Sequence, residues 1–284
     1  MSGQRSPVLM RQQLGVLLRE YREGTGRTAA DVARQLEVNA SVITRLERGQ
    51  RRPGILYVRA LCDLYGLDKA DADRLLSLAR AGHESGWWER LDLRAQAAEF
   101  IGFEAGASAI DAYELGYIPG LLQTTEYARS ALNSRRPRYS DSELSRLVQA
   151  RMTRQQIIAG PDPVKYHALV DEGVLHRNAA TPSVMRSQLE FLVEVSSMPN
   201  VTLQVLPFSA GTSLGAVGAF TVLSFSAGPV EDVAHVETPL GSIWHRDEGA
   251  ARCKAIFREL AQIAASETES LHIIGEVIDT RWKA

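Results

Sequence analysis

The sequence predicts an all-α head of five short helices followed by a larger α+β domain. Three observations carry this reading. The 284 residues are about twice a common domain length. Apolar residues recur at helical spacing as far as position 82, whereas beyond Gly160 several stretches alternate with a period of two. Charge divides at the same place: residues 1–82 hold 14 Lys and Arg against 9 Asp and Glu, and the remainder 18 against 25, so the formal charge of -2 conceals a net +5 and a net -7. The expected boundaries are 1–82 for the head, 83–94 for a joint and 95–284 for the α+β domain.

Composition bounds the class. With 45% hydrophobic and 23% charged residues the chain is an ordinary globular one. It contains no run of about 18 apolar residues, and its start, MSGQRSPVLMRQQ, lacks the apolar core and cleavage site of a signal peptide, so a cytoplasmic protein away from membranes is expected. Cys62 and Cys253 stand far apart in predicted helices and read as small core residues rather than a disulfide or metal pair.

In the head, residues 1–8 read as disordered. The first helix is expected over 9–23, with Leu14, Leu17, Leu18 and Tyr21 inward, ending at the Gly24-Thr25-Gly26 break. Thr28 opens a second helix, with Asp31 three residues on as a weak capping box, and Val32, Ala33 and Leu36 turn inward. Ala33 is small where two helices would cross. A turn at 35–38 leads to Asn39, which caps a third helix. There Val42, Ile43 and Leu46 share the inner face, while Ala40, Ser41, Thr44, Arg45 and Arg48 share the outer one. Gly49 ends that helix and Arg51-Arg52-Pro53 forms a basic loop. Helices over 55–65, with Val58, Leu61 and Cys62 buried and Gly66 as its stop, and over 69–80 complete the head.

Two helices joined by such a turn, with a short, polar and basic outer face on the second, suit the major groove of double-stranded DNA. Small residues permit close approach, and Arg45 has the geometry to meet guanine O6 and N7. Ser41, Thr44 and Arg45 are the candidates for base edges, with Ala40 as the close-approach residue. Thr28, Asn39, Arg48, Arg51 and Arg52 are the candidates for phosphates. Since one such helix reads few base pairs, a homodimer on an inverted repeat is expected.

Arg22, Gly26-Arg27-Thr28, Val32-Ala33, Val38-Asn39, Ile43 and Leu46-Glu47-Arg48-Gly49 together resemble the lambda-repressor-like, Xre-type helix-turn-helix family. The resemblance implies an ion pair between Arg22 and Glu47, read here as structural. Two positions depart from the family: Ala29 replaces the glutamine that often opens the second helix, and Glu37 replaces the usual turn glycine, which implies a positive φ at a cost of about 1 kcal/mol.

Residues 83–93 contain Trp87 and Trp88, expected to seal one domain against the other. Helical spacing is read over 95–116. Pro119-Gly120 marks a turn, Thr125-Glu126 a helix start and 140–158 a long helix with Arg146, Arg151 and Arg154 on one face. Strands are expected at 165–170, 201–206, 220–225, 232–237 and 242–245, with helices at 184–196 and 252–265. Glu104, Tyr117 to Gln123, Glu126-Tyr127-Ala128, Arg151, Arg154-Gln155, Asp171-Glu172, Gln188-Leu189, Leu206-Pro207-Phe208 and Val236-Glu237 resemble the uncharacterised C-terminal domain of Xre-type actinomycete regulators, a toxin-antitoxin-like group. That resemblance implies transcriptional control and a small protein partner encoded nearby; the alternative is an antitoxin-like protein whose main role is to sequester that partner.

Catalysis has a weak basis. His167, His176, His235 and His245 with Asp171, Glu172 and Glu237 are the candidates, but HExxH, GxSxG and phosphate-loop patterns are absent. The segment 209–220 is glycine-rich, yet it precedes a strand and lacks the Lys-Ser or Lys-Thr of a P-loop, so it reads as a mobile loop for contact. No enzyme activity, catalytic residue, metal or cofactor is expected.

Overall fold

The structure, a computed structural model, describes residues 6–134, 139–211, 214–226, 228–238 and 240–283. It divides into two units: Met1–Gly106 with Phe225–Glu231, and Ala107–Ser224 with Asp232–Ala284.

In the first unit, the Ser6 hydroxyl accepts from the Leu9 amide to cap α1 (Pro7–Gly24), and Pro7 brings the preset φ of a first helical position. The disorder expected for residues 1–8 therefore does not extend to Pro7 and Val8; residues 1–5 lie outside the described residues. Val8 is ordered because it is buried, its side chain against Gly102. α2 (Ala29–Gln35), α3 (Ala40–Glu47), α4 (Ile55–Tyr65) and α5 (Lys69–His83) follow. Leu14, Leu18, Val32, Ile43, Val58, Leu61, Leu75 and Ala79 meet in their common core, and Gly66 ends α4 in the left-handed conformation. Cys62 is buried in that core, as expected of it.

This unit continues past the boundary expected at 82. A 3-10 turn at Trp87–Leu91 and α6 (Ala95–Glu104) belong to it, as does the distant segment Phe225–Glu231. The physical reason is apolar surface on α1 and α5 that five helices leave open. Leu9 and Met10 cluster with Val230, while Phe103 of α6 meets Phe225 with ring centroids 6.2 Å apart. Trp88 is buried beside Gly86 and Gly102 and packs within this unit.

The second unit contains β1 (Ala109–Glu114), α7 (Thr125–Asn133), α8 (Asp141–Arg154), α9 (Gln156–Ala159), β2 (Lys165–Asp171), α10 (Glu172–His176), α11 (Pro182–Val195), β3 (Val201–Leu206), β4 (Phe220–Ser224), β5 (Val233–Thr238), β6 (Gly241–His245), α12 (Asp247–Ile263) and α13 (Glu267–Arg281). Its strands form one mixed sheet in the order β3-β2-β1-β4-β5-β6. β1, β2 and β3 run parallel, while β4, β5 and β6 add antiparallel neighbours. Tyr113, Leu169, Phe220, Val222 and Ala234 of the sheet bury against Ala250, Phe257 and Leu260 of α12. The whole chain is thus an all-α helix-turn-helix region followed by an α+β domain.

All five expected strands are present within a residue or two. The helix expected over 95–116 is corrected: it ends at Glu104, and Ala109–Glu114 is the central strand β1. Ile110, Ala112 and Tyr113 are buried because the strand is paired on both sides and covered on both faces. The expected long helix over 140–158 breaks at Gln155 into α8 and α9, and α13 lies beyond the last helix expected.

Candidate nucleic-acid interface

The α2–α3 turn is held by the backbone. Val38 N donates to Ala33 O at 2.9 Å, and Glu37 sits at φ 53°, the left-handed conformation expected where the resembled sequences have glycine. Asn39 Oδ1 accepts from Ser41 N at 2.9 Å and starts α3. Ile43 and Leu46 anchor one face of α3 in the core, which leaves Ser41, Arg45 and Arg48 exposed and Ala40 and Thr44 half-buried.

The other end of α3 is fixed from α1. Arg22 Nε lies 2.6 Å from Glu47 Oε1 and Nη2 lies 3.0 Å from Oε2, and Arg22 Nη1 also donates to Arg27 O at 2.8 Å. Hydrogen bonding to Glu47 raises the Arg22 guanidinium above its usual range. Gln12 Nε2 donates to Arg48 O at 3.0 Å, and a Cβ on Gly15 would overlap the Glu47 carbonyl oxygen. The exposed face of α3 is therefore presented on a rigid mount.

The candidate contact residues differ in readiness. Arg45 folds back along its own helix, Nε donating to Ser41 O at 3.2 Å, and the Thr44 hydroxyl donates to Ala40 O at 3.1 Å. Both hold local side-chain-to-backbone bonds within α3. Arg48 and Arg51 are exposed. Arg52 is engaged: its guanidinium pairs with the Glu89 carboxylate and lies 3.4 Å from the Ser85 hydroxyl. Thr28 is likewise committed, its hydroxyl donating to Asp31 Oδ2 at 2.7 Å and accepting from Asp31 N at 3.1 Å. The Thr28 hydroxyl and then the Thr28 amide, both donating to Asp31 Oδ2, hold that carboxyl below its usual range, which keeps a negative charge beside Thr28. A cavity of about 220 Å³ lies next to α3, lined by Val38, Val42, Leu46, Arg51, Arg52, Gly54 and Tyr57.

Sequence reading missed Gln12 and Glu89. Gln12 sits on an otherwise buried helix face, where a polar residue is itself a signal. Glu89 pairs across 37 positions and gave none.

The motif residues of the second unit converge on one turn. Gln123 is buried; its Nε2 donates to Ile118 O at 2.6 Å and its Oε1 accepts from Arg151 Nη1 at 2.9 Å. Gln155 Nε2 donates to Gln123 O at 2.6 Å, Gln188 brackets Leu122 O and Thr124 N at 2.7 Å each, and Ile118 N donates to the Tyr127 hydroxyl at 3.1 Å. This network clamps residues 118–124 where they cross between elements, so the motif is a packing device.

His176 Nε2 lies 3.5 Å from Glu172 Oε1, but the histidine candidates are spread over separate strands and helices rather than meeting at one point. His167 bonds Gln204 at 2.8 Å and meets the Phe257 ring edge-on; His176 stacks on Phe208; His235 packs on Trp244. Asp171 caps α10 and Glu172 accepts from Phe208 N. β2 and β5 are three strand spacings apart, about 14 Å. Among the described residues no three His, Cys, Asp or Glu side chains stand close enough to hold a metal ion. In the glycine-rich segment, positions 212 and 213 lie outside the described residues and Leu214–Val217 forms a 3-10 turn.

Among the described residues no helix is long and apolar enough to cross a membrane. The family model of a helix-turn-helix domain matches residues 13–75, and that of a domain of unknown function, DUF5753, matches residues 97–276. No curated protein and no solved structure matches the chain. A helix-turn-helix domain points to DNA binding and transcription regulation, and to a regulator rather than an enzyme.

Proposed function

Because the chain belongs to the family defined by the domain of unknown function DUF5753 and carries a helix-turn-helix domain ahead of it, we propose that it is a sequence-specific transcriptional regulator. It acts as a homodimer on an inverted-repeat operator, in the manner of the Xre-type family. The carrying observation is the outer face of α3, whose polar and basic residues are exposed while both ends of the helix are held by α1 and the core.

In this reading Ser41, Thr44 and Arg45 meet base edges, with Ala40 permitting close approach. Arg48 and Arg51 meet phosphates directly, and Asn39 lies at the helix start where a phosphate is favoured. Thr28 and Arg52 are weaker phosphate candidates than their positions alone imply, since Asp31 and Glu89 already hold them. Fluorescence anisotropy with DNA from upstream of the protein's own gene, against scrambled DNA over a salt series, tests the proposal. Specific binding about a thousandfold tighter than to scrambled DNA supports it. Arg45→Ala is expected to cost about 1–3 kcal/mol and to relax one operator position. Equal, weak binding of both DNAs overturns it.

The second domain receives a small protein partner encoded nearby, in a toxin-antitoxin-like arrangement. The second unit, residues 107–224 and 232–284, holds 16 Lys and Arg against 19 Asp and Glu, and this lack of a basic surplus favours a protein or other non-nucleic-acid ligand for that domain. A second reading makes sequestration of that partner the main role and DNA binding its autoregulation. Co-expression with the neighbouring small protein separates them: release of the operator on adding the partner supports the first, and co-purification with no effect on operator binding supports the second.

A further inference from the structure

We propose that the cavity beside α3 binds a small carboxylic acid with an apolar body, the carboxylate accepting from the Arg51 guanidinium and the Tyr57 hydroxyl while the body lies against Val38, Val42 and Leu46. Occupancy releases DNA, a consequence that rests on the regulator reading above; the binding site itself does not.

The cavity lies wholly within the first unit, where the α2–α3 turn and α3 meet the start of α4. Part of its lining is apolar: Val38 and Val42 are half-buried and Leu46 is buried. The remainder includes two guanidiniums and a phenol, and no acid. Tyr57 Oη is buried and makes no hydrogen bond among the described residues. Buried hydroxyls in folded chains nearly always have a partner, so one that lines a cavity without any marks a place where a ligand oxygen would be held. Burial pushes this hydroxyl above its usual range, with the charge of Arg51 opposing, so it keeps its proton at neutral pH and can donate to such an oxygen.

Charge and size select the class of ligand. Glu89 neutralises Arg52, whereas Arg51 is exposed and its charge acts on the Tyr57 hydroxyl. A cation and a hydroxyl on one cavity suit a monoanion with two acceptor oxygens, which a carboxylate is. The apolar lining is left wet by inorganic phosphate and covered by an apolar body. The volume of about 220 Å³ is below the roughly 300–1,000 Å³ of pockets for drug-sized ligands, so the acid is small. A DNA phosphodiester, held between two sugars, can meet the exposed Arg51 but not the buried Tyr57 hydroxyl. Acid and backbone phosphate therefore compete for Arg51, and bound acid holds that guanidinium away from the operator.

The test uses the full chain. Isothermal calorimetry at fixed ionic strength titrates benzoate and 3-methylbutanoate, beside benzamide as a neutral counterpart and inorganic phosphate as a plain anion, into wild type, Tyr57→Phe and Arg51→Gln. At least one of the two acids is expected to bind one site per chain with a dissociation constant of about 1 mM or less. That binding is expected to be at least about tenfold tighter than for benzamide or phosphate, and to weaken at least about fivefold in each variant. Fluorescence anisotropy then reads operator DNA with and without saturating acid, the salt matched with sodium chloride. The acid is expected to weaken operator binding about threefold or more in wild type and less in Tyr57→Phe, each against its own acid-free affinity. Failure of both acids to bind, or binding that Tyr57→Phe leaves unchanged, overturns the site. Phosphate binding as tightly as the acids makes it an adventitious anion on Arg51 and overturns it too. Acid bound with operator affinity unchanged overturns the release of DNA alone. A chain that binds no operator even without acid overturns the regulator reading, and the calorimetry decides the site by itself.

Discussion

The guanidinium of Arg22 and the carboxylate of Glu47 face each other in a two-pronged pair, at 2.6 and 3.0 Å, with their side chains 10% and 8% exposed. Breaking such a pair leaves one charge buried alone. Arg22→Ala is expected to destabilise the helical unit by about 3–5 kcal/mol, read as a lower midpoint in urea, and to weaken operator binding with it. Arg22→Met with Glu47→Met is expected to recover most of that stability. A double variant as unstable as the single one would show that packing, not the stranded charge, sets the cost.

Arg52 and Glu89 make a second prediction. Glu89→Gln removes the carboxylate that holds the Arg52 guanidinium and frees it for a phosphate. DNA affinity is expected to rise about three- to tenfold, and the salt slope to steepen by about 0.9, the value of one added contact. Arg51→Ala, by contrast, is expected to weaken binding in the unmodified chain more than Arg52→Ala does. Anisotropy titrations from 50 to 200 mM salt measure both.

Gln123 stands at the centre of the clamp over residues 118–124. Gln123→Ala strands Ile118 O in a buried place, removes the bond that Arg151 Nη1 donates, and is expected to cost about 1–3 kcal/mol. Because the network lies in the α+β domain, the loss is expected in that domain's unfolding, measured by calorimetry. Unchanged melting would show the motif to be dispensable for packing.

His235 gives the chain an acid sensitivity. Burial pushes its imidazole down to about 4, with Glu237 opposing and Arg154 adding to the shift. The unfolded chain titrates near 6.5, so on acidification the unfolded state takes the proton first. The contribution is complete above about pH 7 and is lost as pH falls from about 6.5 to about 4, amounting to about 1–2 kcal/mol after solvent screening. Urea denaturation at steps between pH 7.5 and 4.5 is expected to show this loss in wild type and a shallower one in His235→Leu.

Local signals carried much of the fold. Thr28, Asn39, Gly49 and Gly66 act where capping and turn chemistry place them, and Ile43 and Leu46 turn inward at the spacing of a helix face. Glu37 at φ 53° was expected from the resemblance to helix-turn-helix proteins, which usually have glycine at that place, and not from local signals. β1 was hidden because Ala109–Glu114 has apolar residues that fit a helical period as well as an alternating one. Its strand state is decided by β2 and β4, whose residues lie more than 50 and 100 positions away.

The residues proposed for the DNA interface followed the same division. The outer face of α3 was legible from spacing alone, since a helix carries its periodicity in the chain. Whether each cation on or near it is available was not legible, because Glu89 reaches Arg52 from another element and Arg45 bonds its own helix.

Sequence by itself determined the two-part organisation, the helix-turn-helix with its polar outer face, and the strands beyond Gly160, because those depend on neighbours within a few residues. Only the tertiary structure decided that α6 and Phe225–Glu231 complete the first unit, that Ala109–Glu114 is the centre of the sheet, and that the β3 edge is closed by Ala265 and Ser270. Each of these is a question of which apolar surface or backbone row finds a partner, and partners distant in the chain leave no periodic trace in it.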